Sequence, residues 1–135
     1  MIGLVCGDTK KVFISSKEKV EGAISCEDEA EVIESFIQEV IDIDPDIITG
    51  WNVIDFDFAY LDKKFKKYKI EFDIGREPGK CKLKIEDNFF RESKVDIPGR
   101  QVLDGLNLLR VSFIKVEDYK LDTVAKQILG DSKLI

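Results

Sequence analysis

The stretch TGWNVIDFDFAYL, residues 49–61, places two acids, Asp55 and Asp57, among aromatic and aliphatic residues just after the only tryptophan, Trp51. A carboxylate beside apolar side chains costs free energy unless something pairs with it. Taken alone, the Asp-Phe-Asp has two readings. An acid at a helix start accepts backbone hydrogen bonds and meets the positive end of the helix dipole. It can equally offer oxygen to a hard metal ion.

The surroundings place this stretch between two elements. Residues 46–50 form a short apolar run after Pro45, and its lack of polar alternation predicts a strand buried on both faces. Residues 56–68 carry Phe58, Leu61, Phe65 and Tyr68 at helical spacing, with lysines on the other face. Upstream, residues 2–6 and 11–15 read as a hairpin around Gly7-Asp8. Ser25 before the acidic run 27–29 marks a helix start, and the apolar positions from Ala30 to Ile41 predict a helix that ends before Pro45. Downstream, residues 81–85 and 89–95 suggest a second hairpin turning at Asp87-Asn88. A strand over 101–104, a short helix over 106–111 and a clearer one over 121–129, with Gly130 as C-cap, complete the order. The pattern is that of one mixed α/β or α+β domain.

Composition narrows the chemistry. The chain has 135 residues, 44% hydrophobic and 36% charged, enough to bury a core. No apolar run approaches the ~20 residues of a membrane span, and the first residues do not make a signal peptide. An intracellular protein is the expectation. Cys6, Cys26 and Cys81 are odd in number and widely spaced, which suits reduced thiols. There is no histidine, so histidine triads and HExxH zinc sites are excluded, leaving carboxylates, tyrosine, lysine or metal-bound water for any hydrolysis. The net charge of -6 is uneven: residues 1–61 hold 4 basic and 14 acidic side chains, and residues 62–84 hold 9 and 4. The whole chain should not attract nucleic acid strongly, while the lysines at 63–69 can do so locally or simply form a solvated helix face.

Residues 44–61, DPDIITGWNVIDFDFAYL, closely resemble the second exonuclease motif of family B DNA polymerases, with Trp51-Asn52, Phe56-Asp57 and Tyr60-Leu61 in the motif positions. The wording FDFAYL is similar to archaeal members. Ile74-Gly-Arg-Glu77, Gly99-Arg-Gln-Val-Leu-Asp104, and Tyr119 to Ala125 with Leu129 to Lys133 resemble later family segments in the same order. The chain before residue 44 matches only in element order.

This resemblance implies a ribonuclease H-like α/β fold with a mixed sheet, flanking helices and a β-hairpin insertion, and descent from a 3′-to-5′ proofreading exonuclease. Such sites cluster four carboxylates around two divalent ions, Mg2+ or Mn2+, which activate water and stabilise charge on the phosphate. Asp57 falls on the catalytic, metal-binding aspartate. Asp55 falls on a variable position and is expected to be solvated or capping. Asn52 matches the motif's asparagine, to contact the substrate strand or to fix the turn. Phe56, Phe58 and Tyr60 are candidates for packing, with base stacking the other role open to one of them. Lys80, Lys82, Lys84 and Arg91 fall on a hairpin that projects toward primer-template DNA, where they can touch phosphates or remain solvated.

The first motif, Asp-x-Glu, and the third, Tyr-x-x-x-Asp, have no counterpart here, so one of four expected ligands is present. Residues 1–135 read as a single partial, truncated exonuclease domain. One aspartate cannot hold two neighbouring dications, so this chain by itself is expected to be inactive. The alternatives are a non-catalytic DNA- or protein-binding scaffold and an enzyme completed across a dimer. In the parent the partner is DNA, a single-stranded 3′ end or primer-template. The fold's first strand lies centrally, so its loss should leave an open sheet edge for a polymerase chain or a second copy.

Overall fold

Helix α1 (Glu29–Ile43) organises the N-terminal half. The computed structural model describes residues 1–88 and 90–130. The helix begins at Asp28, whose carboxylate accepts the Glu31 N–H at 2.9 Å. This corrects Ser25 as the start signal. Ser25 lies in a three-residue strand, and its hydroxyl donates to the Glu18 carbonyl and accepts the Val20 N–H, tying down the preceding loop. At the other end Asp44 takes a left-handed conformation, its N–H reaching the Val40 carbonyl, and Pro45 stops the helix.

Strands β1 (Ile2–Cys6) and β2 (Thr9–Ser15) form the expected hairpin, and β2 pairs in parallel with β3 (Ile24–Cys26). Strand β4 (Ile47–Gly50) pairs in parallel with β7 (Gln101–Asp104). Strands β5 (Lys82–Lys84) and β6 (Lys94–Asp96) form a short antiparallel hairpin. Its turn is held by the Asn88 side chain, which accepts the Phe90 N–H; Phe89, one end of the expected strand 89–95, lies outside the described residues. Among the described residues these are three separate small sheets, one of them mixed.

Strand β4 is not buried on both faces as its apolar run predicts. Ile47 is 54% exposed and Thr49, on the same face, is exposed as well, so one face of β4 is left uncovered by the described residues. The stretch after it also differs from a simple helix. Residues Val53–Phe58 wind one wide π-type turn, and α2 proper spans Ala59–Tyr68. Phe58, Leu61 and Phe65 from these segments join Ile33 and Val40 of α1, with Ile74 and Ile97, in the main core. Phe58 and Phe65 are each 2% exposed, and Phe65 stacks on Phe72 at 4.9 Å between ring centroids. Full burial of such a ring stabilises the fold by about 1.5–3 kcal/mol.

Three distant segments meet where β4 begins. Arg76 donates to the Asp44 and Asp46 carboxylates at 2.8 and 2.7 Å. Arg100 donates to Asp44, to the Pro45 carbonyl and to the Ile74 carbonyl, with its own side chain only 2% exposed. The two guanidinium groups hold the Asp44 carboxyl below the usual carboxylate range. Gly99, at φ +79, lets the chain turn against Arg76 and Glu77, where a Cβ would come within 2.9 Å of the Arg76 side chain. The acid-proline-acid run at 44–46, the Gly-Arg-Glu at 75–77 and the Gly-Arg at 99–100 therefore converge in one ionic knot that fixes β4 beside β7.

The C-terminal part holds α3 (Gly105–Val111) and α4 (Leu121–Leu129), the latter capped by Gly130 in the left-handed conformation as expected. Residues 131–133, which end the last matching segment, lie outside the described residues. No helix among the described residues is long and apolar enough to cross a membrane.

Candidate functional site

The carboxyl ends of β4 and β7 stand side by side, with Gly50 opposite Asp104 in the parallel register. Small residues permit this approach. A Cβ on Gly50 would lie 3.0 Å from the Val53 side chain, and one on Gly105 would lie 3.3 Å from both the Gly50 carbonyl and the Trp51 ring. Trp51 is anchored further by its indole N–H, which donates to the Tyr119 carbonyl at 3.1 Å. Asn52 then takes a left-handed conformation, φ +57, which an asparagine tolerates better than most residues. That reversal launches the wide turn over Val53–Phe58.

The turn separates its residues by direction. Val53, Ile54 and Phe58 face the core, whereas Asp55, Phe56 and Asp57 are exposed. Phe56 and Tyr60, both candidates for packing, lie outside the core instead, and only Phe58 of the three is buried. Neither Asp55 nor Asp57 caps a helix: the Val53–Phe58 turn starts at Asn52 and α2 at Phe58, and neither start has a side-chain cap. Asp57 makes no ion pair among the described residues. Although it reaches solvent, the protein around its carboxyl partly desolvates it and pushes its pKa up, and the negative charge of Asp104 adds to the rise.

Asp57 opens into a groove of about 910 Å³. Every residue of β1 and of β4 lines it, its floor includes Ile33, Phe36 and Val40 of α1, and Lys64 and Tyr60 stand at the Asp57 end. Among the described residues β1 is paired only with β2, and β4 only with β7, so each has an unpaired edge. Lys64 is committed elsewhere: it donates to both oxygens of Glu29 at 2.9 and 2.8 Å, and Tyr68 donates to the same carboxylate. These bonds, with Lys67 nearby, bring the Glu29 pKa down to about 2.

Asp104 is the residue whose place in the site the sequence reading missed. It is 5% exposed, and its two oxygens accept the backbone N–H groups of Asn52 (3.0 Å), Ile54 (3.2 Å) and Leu106 (3.0 Å). The signal was available, since an acid closing an apolar strand just before Gly105-Leu106 is a helix-cap signature. What the pattern did not show is that the same carboxylate reaches back to the turn carrying Asp57.

The basic residues of the hairpin are on the surface. Lys80, Lys82, Lys84 and Arg91 are all exposed. Lys84 pairs with Glu86 at 2.7 Å, and Lys82 sits opposite Asp96 in the strand register, so part of this positive charge is neutralised locally.

The donor set fits a metal only in part. Asp57 offers an exposed carboxylate without an ion-pair partner among the described residues, a hard-oxygen donor of the kind Mg2+ or Mn2+ takes. Asp104 is occupied by three amides. No group of three or more Asp, Glu, Cys or His capable of holding a metal is gathered among the described residues.

Comparison with known proteins bears on this arrangement. A family model described as DNA polymerase family B, exonuclease domain, matches residues 6–124. DNA polymerase II of Escherichia coli is 33% identical over 96 residues, covering 68% of this chain and 12% of that protein. The DNA polymerase of Thermococcus gorgonarius is 34% identical over 106 residues, covering 78% and 13%. The DNA polymerase delta catalytic subunit of Schizosaccharomyces pombe is 35% identical over 116 residues, covering 79% and 11%. The chain thus spans about an eighth of the length of these curated relatives.

Proposed function

Because the chain belongs to the exonuclease-domain family of family B DNA polymerases, we propose that it is part of a proofreading 3′-to-5′ exonuclease domain with a ribonuclease H-like fold, and that Asp57 is its metal-binding, catalytic aspartate. The observation that carries the reading is the exposure of Asp57. Among the described residues it has no ion pair and caps no helix, and it lines a groove, on a turn that the fold holds by its backbone. In the complete site two Mg2+ or Mn2+ ions would supply an activated water and offset charge on the scissile phosphate of a DNA 3′ end. This chain's own contribution is one oxygen ligand, so hydrolysis by it alone is not expected. Labelled single-stranded DNA incubated with the chain and Mn2+ should keep its 3′ nucleotides. Loss of nucleotides that disappears in Asp57→Ala would overturn that expectation.

Two further parts of the proposal concern partners. The exposed Lys80, Lys82, Lys84 and Arg91 would touch DNA phosphates without reading sequence, and Asn52 would lie beside the substrate strand. Binding to single-stranded DNA should then weaken as salt rises, and replacing these four cations by glutamine should flatten that dependence. The edges of β1 and β4 that are unpaired among the described residues, both along one groove, support completion of the sheet by an extended strand of a polymerase chain rather than by a second copy, whose own β1 is already held in a hairpin. Sedimentation that shows a concentration-dependent dimer would favour the second copy instead. Such a protein would work inside the cell.

The absence of a metal-holding group among the described residues favours a second reading, a non-catalytic DNA- or protein-binding scaffold of the same fold. The two readings part on whether Asp57 takes up a divalent ion.

A further inference from the structure

Asp104 does more than cap a helix. Its Oδ1 accepts the N–H of Leu106, in the first turn of α3, and also that of Asn52, while its Oδ2 accepts the N–H of Ile54. Asn52 and Ile54 flank the entry to the wide turn, and Asp57 lies three residues past Ile54. The turn has no side-chain cap of its own, and Asn52 is held in the left-handed region that a residue with a Cβ enters at a cost. A carboxylate with both oxygens bonded to backbone amides has its direction fixed, and these bonds are of the strong, charge-assisted kind. Asp104 itself closes β7, whose register with β4 places it opposite Gly50. Beside the covalent chain leaving β4, this side chain ties the paired strands to the turn that carries Asp57.

We propose that Asp104 is the positioning residue of the site: its carboxylate, bridging the Asn52 and Ile54 amides to the start of α3, sets where the turn presents Asp57. This rests on the reading of Asp57 as the metal ligand, but its structural content can be tested separately.

The test uses the isotope-labelled chain with two variants. Asp104→Ser keeps an oxygen for the Leu106 amide but is too short to reach Asn52 and Ile54. Asp104→Asn keeps an oxygen for Asn52 and Leu106 and turns the atom facing Ile54 into a donor. In Asp104→Ser, amide hydrogen exchange should quicken at least about tenfold at both Asn52 and Ile54, with Leu106 less affected; in Asp104→Asn the loss should concentrate at Ile54. In both variants the broadening of the amides of residues 55–59 by added Mn2+ should be weaker than in the parent chain. If Asp104→Ser does not fold, Asp104→Asn decides alone. Unchanged protection at Ile54 overturns the proposal, leaving Asp104 a simple helix cap. Mn2+ added to the unmodified chain separates the two ideas. No Asp57-centred broadening there removes the ligand reading, while the exchange results still judge Asp104.

Discussion

Arg100→Ala should be among the most damaging single substitutions in this chain. The Arg100 side chain is 2% exposed and donates three hydrogen bonds, to the Ile74 carbonyl (2.8 Å), the Pro45 carbonyl (2.7 Å) and the Asp44 carboxylate (2.8 Å). The Asp44 partner is itself largely solvated, so that ion pair is screened and contributes little. The two carbonyl bonds come from a charged donor and are worth about 1.5–3 kcal/mol each. The expected loss is therefore roughly 3–5 kcal/mol, in line with the cost of breaking a buried polar network. For a domain of this size that corresponds to a fall in Tm of about 10–20 °C. Urea unfolding measures it, with the midpoint falling and the slope unchanged because the surface exposed on unfolding scarcely alters. Arg100→Lys should lose about 1–3 kcal/mol, since a single ammonium cannot hold the fork geometry that serves both carbonyls. A loss under about 1 kcal/mol in Arg100→Ala would refute the idea that this knot fixes β4.

Other substitutions probe the site and its supports. Asp57→Asn should raise Tm at neutral pH, because burial and the Asp104 charge make the ionised form of Asp57 unfavourable in the folded state. The sign is that of a raised carboxyl pKa, so the gain should shrink as acid protonates Asp57 in the parent chain. Glu29 runs the other way. Its folded pKa of about 2 lies below the ordinary 4.5, so its contribution is present above 4.5 and is lost as pH falls toward 2. Glu29→Gln should flatten the acid limb of a Tm-against-pH curve in that window. Gly50→Ala should destabilise by about 1–3 kcal/mol in chemical denaturation, since its Cβ would press on the Val53 side chain at 3.0 Å at the entry to the turn.

Strong local signals carried most of the fold. The β1–β2 hairpin and the body of α1 were legible from their patterns, and α4 because its periodicity and its Gly130 cap agree. Strand β3 escaped notice because three residues, Ile-Ser-Cys, are too few for a period, and Ser25 carried a competing helix-cap signal. Burial of β4 was misjudged because hydrophobicity reports what a strand can bury, whereas Ile47 lines a groove with an unpaired edge. The wide turn at 53–58 was hidden because Val-Ile-Asp-Phe-Asp-Phe alternates like a strand yet leads into a helix. Within the site, the longer motif separated Asp57 from Asp55, which local chemistry could not do. Asp104 was quoted but given no role, because its bonds to Asn52 and Ile54 span about fifty residues and leave no local trace.

The central proposal is that Asp57, on its backbone-held turn, takes up a divalent ion. Mn2+ titrated into the isotope-labelled chain tests this most directly, through paramagnetic broadening of backbone amides. The account predicts weak binding, with broadening concentrated on the amides of residues 55–59 and abolished in Asp57→Asn. Broadening centred on the acidic start of α1, or unchanged in Asp57→Asn, would contradict it.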